Sequence, residues 1–156
     1  MAQVRDRPYG NSNFLVDFGD GKAESISGGF SEVWFPTFYV DPVRASESAS
    51  HMSPEPAETG AMPAAPALPD RHLLLKRGFI GALDLYAWWN KERRVGSPKR
   101  RTLRIRLLAE DRETVVATWR FRGVRPVSLS YSPLRASEGG IVFETVELAF
   151  ERMDML

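Results

Sequence analysis

The sequence predicts a mainly β domain of the α+β class, an antiparallel barrel or sandwich capped by a single α-helix. Three observations lead there. Apolar and polar residues alternate with period two through much of Leu103 to Tyr131, the spacing of half-buried strands. Clusters of Gly, Pro, Asp and Ser, residues suited to turns, separate the apolar runs. Apolar side chains fall at helical spacing in one stretch, around Leu83 to Trp89.

Taken in order, Asn13-Phe14-Leu15-Val16-Asp17-Phe18 is apolar and β-prone, and Gly19-Asp20-Gly21 is turn chemistry. The pair is expected to form a hairpin with a second strand from Ile26 to Phe35. Within that strand Gly28 and Gly29 mark a bulge or a close backbone approach, because glycine weakens a regular strand unless its freedom in φ is used. Phe30 supplies bulk beside them.

From Asp41 to Asp70 the character changes. Six of the eleven prolines fall here among alanine and serine, with no aromatic residue, so this segment cannot build a packed core and is expected to be an insert loop. It is either a solvated surface loop or one that orders against a neighbouring subunit.

Leu73 to Lys76 is a short third strand. Gly81 then precedes a helix expected over about Ala82 to Lys91, with Asp84 in its first turn and Lys91 and Arg93 near its end, the polarity a helix dipole favours. Leu83 with Tyr86, and Leu85 with Trp88 and Trp89, cover much of its circumference, which implies burial on more than one side. One of those faces could equally serve as a contact for another copy of the chain, since aromatic anchors dominate interfaces.

After Gly96-Ser97-Pro98, three strands are expected. Leu103, Ile105 and Leu107 alternate with Arg104 and Arg106; Val115, Ala117, Trp119 and Phe121 with Thr118, Arg120 and Arg122; Val127, Leu129 and Tyr131 with Ser128 and Ser130. A last strand runs from Ile141 to Arg152 and carries Glu144, Glu147 and Glu151.

Length and composition narrow the classes. At 156 residues the chain suits one domain with a sizeable core. A hydrophobic share of 43% against 26% charged residues is that of a globular protein, and neither a signal peptide nor an apolar run long enough to span a membrane is present. Without cysteine there are no disulfides and no thiolate chemistry. A net charge of +1 gives no global field, yet eight bases between Lys91 and Arg106 face only Glu92.

Enzymatic readings find little support. His51 and His72 lie in or beside the Pro/Ala segment, with no nucleophile and orienting carboxylate evident nearby, and are expected to be surface histidines. Glu144, Glu147 and Glu151 do not all share a strand face, because odd spacings reverse the side chain. No metal-ligand spacing, phosphate loop or nucleophile elbow is found, so no cofactor and no metal are expected. A basic face of Arg104, Arg106, Arg120 and Arg122 could contact nucleic-acid phosphates, or pair with the glutamates of the last strand; the aromatic interleaving used for base stacking is missing from it.

Several motifs in order then resemble one family. Gly28-Gly29-Phe30-Ser31-Glu32-Val33, Leu75-Lys76-Arg77-Gly78, the Asp84 helix ending Trp88-Trp89-Asn90-Lys91, Arg100-Arg101, Trp119-Arg120-Phe121 with Pro126-Val127, and Glu144-Thr145-Val146-Glu147-Leu148-Ala149 resemble the tail-tube proteins of contractile phage tails and phage-like injection systems. The resemblance covers residues 13–156 and implies one tail-tube domain over 1–156. It implies homo-hexameric rings stacked into a hollow inner tube, with a contractile sheath, a baseplate or spike and tube-terminating proteins as partners, cargo in the lumen, and no membrane insertion by the chain itself. It also implies assembly in the producer's cytoplasm and a final place in a virion tail or released particle.

Under this reading Gly28, Gly29, Phe30, Leu83, Leu85, Tyr86, Trp88 and Trp89 are candidates for the core or the subunit interface. Arg104, Arg106, Arg120, Arg122, Glu144 and Glu147 are candidates for lumen or inter-protomer charge. Asp41, Arg44, Glu47 and Asp70 are candidates for ring stacking, in the segment where the chain departs from the family pattern. A specialised tube initiator at the baseplate end, and a nucleic-acid-binding β-barrel module, stand as alternatives, with a small hydrolase behind them.

Overall fold

The computed structural model describes residues 4–19, 29–40, 68–95 and 100–156. Seven strands and one helix occur among them: β1 (Phe14–Asp17), β2 (Phe30–Trp34), β3 (His72–Gly78), α1 (Asp84–Val95), β4 (Arg101–Leu108), β5 (Val115–Tyr131), β6 (Phe143–Ala149) and β7 (Arg152–Met155). The strands pair in antiparallel fashion in the order β1-β4-β5-β6-β3-β2, with β7 also on β5. The class is mainly β with one helix, and the sheet stays open, with β1 and β2 at its ends.

β5 organises the fold. The two runs expected to be separate strands are one strand of 17 residues. Its first half pairs with β4 and β7, and its second half, from Arg125, pairs with β6. Gly123 sits at the changeover with φ +66°, a conformation that costs other residues strain. Register shifts opposite Phe121–Val124 and again at Pro126–Ser128 move the inward positions from Phe121 to Val124 and Pro126. A strand that joins two halves of a sheet in this way lets them face one core.

That core draws Leu103, Ile105 and Phe121 from one half and Leu73, Leu75, Val146 and Leu148 from the other. Phe18, Phe30, Leu85 and Trp88 close it on the helix side, with Trp88 edge-on to Phe18 at 5.4 Å between ring centroids. Phe150, between β6 and β7, turns inward against Phe121 at 4.8 Å, which is why the expected last strand is interrupted there.

Three further expectations are corrected. β1 and β2 do not pair: β1 lies on β4, with Asp17 opposite Arg104, while β2 lies on β3 at the other end of the sheet. An aspartate across from arginine is a favourable cross-strand pair, and turn chemistry alone did not fix the partner. The helix starts at Asp84, after a Gly81 with φ +86°, and continues to Val95. It is buried along one stripe: Leu85 and Trp88 are inside, whereas Leu83 and Tyr86 are 64% and 43% exposed.

Candidate functional site

The arginine-bearing face of β1, β4, β5 and β7 is built by strand register. Asp17, Arg104, Arg120 and Asp154 stand opposite one another across four strands. Directly opposed arginines repel, and the flanking acids offset this. Asp154 lies 3.0 Å from Arg152, 3.5 Å from Arg120 and 3.7 Å from Arg122, and Asp17 lies 3.5 Å from Arg106. Partial burial of Asp154 would favour its neutral form, but the Arg152 hydrogen bond and the charges of Arg152 and Arg122 outweigh it and hold its carboxyl below the ordinary range. Arg104, Arg106, Arg120, Arg122 and Arg152 against these two aspartates leave a positive surplus of three on this face.

The glutamates of β6 do not serve this face. Glu144 is 1% exposed and sits opposite Arg77 of β3, whose Nε donates to Glu144 Oε1 at 2.5 Å. The same guanidinium donates to Asp84 at the start of α1 and lies 5.4 Å from the Phe30 ring centroid. Burial alone would lower the Arg77 pKa, but hydrogen bonds to Asp84 and Glu144 hold it above its ordinary value. Asp84 Oδ1 also accepts from the Leu85 N–H, so one buried cation ties two strands to the helix N-terminus. Arg77 shares strand parity with Leu73 and Leu75, a signal of burial that motif reading passed over.

Glu147 is also engaged within the chain. Its Oε2 lies 2.5 Å from His72 Nδ1, and its Oε1 accepts from Ser128 Oγ at 3.2 Å. His72 is thus a partnered, half-buried residue rather than a bare surface one. Serine and histidine share one carboxylate here; in a nucleophilic triad the serine would instead contact the second imidazole nitrogen. Among the described residues no group of three or more potential metal ligands occurs, and no helix is long and apolar enough to cross a membrane.

The apolar candidates separate into two sets. Leu85, Trp88 and Phe30 are core, and Gly29 precedes β2 with φ +97°. Leu83 and Tyr86, with Ala87, Asn90, Arg94 and Val95, line a shallow outer groove of about 600 Å³, and half-buried Trp89 stacks obliquely with Tyr86 at 6.2 Å. Gly28, Asp41, Arg44, Glu47, His51 and the expected turns at 19–21 and 96–98, apart from Gly19, lie outside the described residues, as does most of the 41–70 insert; Asp70 is described and lies 4.0 Å from Arg71. Sequence reading also missed Arg5, which grips both carboxylate oxygens of Glu110 at 2.7 and 2.9 Å and stacks on Tyr9, tying the N-terminal segment to the β4–β5 hairpin.

Residues 10–154 match the family model described as T4-like virus tail tube protein gp19. No curated protein matches. Among solved structures, a chain of the anti-feeding prophage baseplate, solved with six-fold symmetrisation, is similar with a TM-score of 0.63 and 23% identity, covering 97% of each chain. A chain of the sheath–tube complex of an extracellular contractile injection system, PVC, matches with a TM-score of 0.63 and 20% identity over 97% of this chain and 93% of that one. A chain of the anti-feeding prophage tube-terminating cap matches with a TM-score of 0.68 and 19% identity over 100% and 95%. At these identities the likeness speaks for a shared fold.

Proposed function

The chain belongs to the T4-like virus tail tube protein family, and on that premise we propose that it is a non-catalytic structural subunit whose copies close into six-fold rings that stack into a hollow inner tube. The observation that carries this reading is the family match over nearly the whole chain. Among the described residues β1 and β2 each have a strand partner on one side only, which supports it, because edge strands are stabilised when another copy pairs with them. The tube would stand inside a contractile sheath, between a baseplate and a terminating cap, in a virion tail or a released particle. Chains of similar fold occur in a baseplate, a sheath–tube complex and a cap.

In this assembly the arginine face forms the lumen wall. It is mostly polar, internally paired and net positive, with Leu15 opposite Arg106 as a large exposed apolar side chain on it. Cargo in such a lumen would meet a wall that favours anionic surfaces. Negative-stain electron microscopy of the purified protein over a concentration series tests the reading. Open-centred rings and stacked tubes are expected; a protein monomeric at every concentration, with or without sheath and baseplate partners, would refute it.

A further inference from the structure

We propose that the hollow where the starts of β3 and β4 meet the middle of β5 binds a small, multiply charged oxyanion of the phosphate class, gripped by the guanidiniums of Arg100 and Arg125 with Arg71 beside them. This goes beyond the tube reading and does not depend on it.

Strand register builds the site. Arg101 pairs with Val124, so the antiparallel run of β4 and β5 brings Arg100, the residue before β4, beside Arg125. Val124 is fully buried, and alternation therefore turns Arg125 to the outer surface. On its other side Arg125 stands opposite Ala149 of β6, and Ala149 opposite His72 of β3. The row reads Arg100, Arg125, Ala149, His72, with the small alanine leaving room between larger neighbours. These residues and Arg71 line one hollow of about 230 Å³.

The charges of this row are not balanced as they are elsewhere on the sheet. Where Arg104 opposes Arg120, the same row carries Asp17 and Asp154. The row of Arg100 and Arg125 carries no acid, and among the described residues neither guanidinium has a hydrogen bond or an ion pair. Like charges placed side by side across strands destabilise a sheet. An oxyanion shared by the two relieves that repulsion, and the planar fork of a guanidinium matches the paired oxygens of a phosphate. Two carboxylates stand at the margin: Asp70 lies 4.0 Å from Arg71, and exposed Glu151 lies against Gly123 without an ion pair among the described residues. Three arginines against these two acids leave a surplus of one. That is too little to hold a long polyanion, whose affinity grows with the number of phosphates neutralised, and it suits one small ion recognised by fork geometry.

The walls are fixed in advance. Arg71 sits at φ +60°, a left-handed conformation unfavourable for a residue other than glycine, and strain of this kind gathers at ligand clamps. Its carbonyl accepts from the Phe150 N–H at 2.9 Å, and the Glu151 N–H donates to the Arg122 carbonyl at 2.9 Å. His72 is held by Glu147, whose Oε2 lies 2.5 Å from Nδ1. The segments that carry the cations are thus tied together before a ligand arrives, which lowers the cost of binding.

Isothermal titration calorimetry of the purified protein with sodium pyrophosphate, at physiological ionic strength, tests the site. One ion per chain is expected. Arg100→Gln and Arg125→Gln should each weaken binding about tenfold or more, the loss of one charge-assisted contact. Arg100 is exposed, so its variant keeps the test decisive if circular dichroism shows that Arg125→Gln does not fold. Glu151→Gln should tighten binding, because the marginal acid repels the ion. Arg106→Gln, on the separate arginine face, should leave it unchanged. No saturable binding, or equal weakening by Arg106→Gln and Arg100→Gln, would overturn the proposal, since diffuse surface charge would then account for any uptake. Displacement of pyrophosphate by an oligonucleotide with affinity that rises with its length would overturn it in favour of a polymer. Tubes by microscopy from a protein that binds no pyrophosphate would sink this site and leave the tube reading standing; binding without rings or tubes would do the reverse.

Discussion

Arg77 donates from Nε to Glu144 Oε1 at 2.5 Å across directly paired positions of β3 and β6, in a site where both residues are 1% exposed. A buried pair of this kind adds modest net stability, but deleting Glu144 leaves Arg77 with Asp84 as its remaining acidic partner and loses a buried charge-assisted hydrogen bond, typically about 1–3 kcal/mol. Glu144→Ala is therefore expected to lower stability by that amount. The double variant Arg77→Met, Glu144→Leu should cost clearly less than the sum of its single changes. Urea denaturation of the parent, Glu144→Ala, Arg77→Met, Glu144→Leu and the double variant decides it, and a Glu144→Ala loss under about 1 kcal/mol would contradict the account.

The helix gives a sharp contrast between neighbouring aromatics. Trp88 is 5% exposed and packs on Phe18, so Trp88→Ala should cost about 3–5 kcal/mol as lost burial plus cavity. Tyr86 is 43% exposed, so Tyr86→Ala should stay within about 0.5 kcal/mol of the parent. Thermal melts should separate the two. A Trp88→Ala protein melting with the parent would refute the core assignment.

Gly123 tests how β5 passes from one half of the sheet to the other. Gly123→Ala forces a side chain into φ +66° and displaces Glu151, whose carboxyl carbon lies 2.5 Å from the new Cβ position. Because Glu151 is exposed and can swing away, the backbone term dominates, at about 1–2 kcal/mol. Gly139→Ala, with nothing within 4 Å, is the control and should be neutral. Equal melting curves for the two variants would mean that the turn at Gly123 is not the constraint described.

Period-two patterning made the middle of β4 and of β5 legible, since Leu103, Ile105 and Phe121 fall inward as expected, but it failed at their paired ends, where the register shift at Leu107/Leu108 buries Leu108, Val116 and Thr118 in place of Leu107, Val115 and Ala117. It lost the second half of β5, because the shifts near Gly123 and Pro126 change parity without an apolar-run signal. Pairing partners were not legible for β1, whose choice of β4 rests on contacts far apart in sequence. The charge site was half legible. The arginines were found, but their partners Asp17 and Asp154 come from strands brought alongside by register, and Glu144 was misplaced because Arg77 had been read as part of a motif rather than as an inward-facing residue.

If the arginine face lines the lumen, replacing Arg106 and Arg122 with Gln should leave tubes intact while weakening retention of a short polyanion such as an oligonucleotide. Fewer cationic contacts flatten the fall of affinity with salt. Filter-binding of assembled tubes at several salt concentrations reads this directly. Unchanged retention would place the face away from the lumen, and loss of assembly would assign it to contacts between protomers.

Asp154 supplies the pH dependence. Its folded carboxyl is held below the ordinary value near 3.9, with Arg152, Arg122 and Arg120 stabilising the anion. A group depressed on folding contributes stability that is fully present above its unfolded pKa and is lost as pH falls through the folded one. The stability difference between the parent and Asp154→Asn should therefore be constant from pH 7 to about 5, and shrink progressively below about 4 as protonation discharges the parent's carboxylate. Urea denaturation at half-unit intervals from pH 7 to 3 measures it. A difference that grew with acid would require the opposite sign of shift, with burial rather than the three guanidiniums controlling this carboxylate.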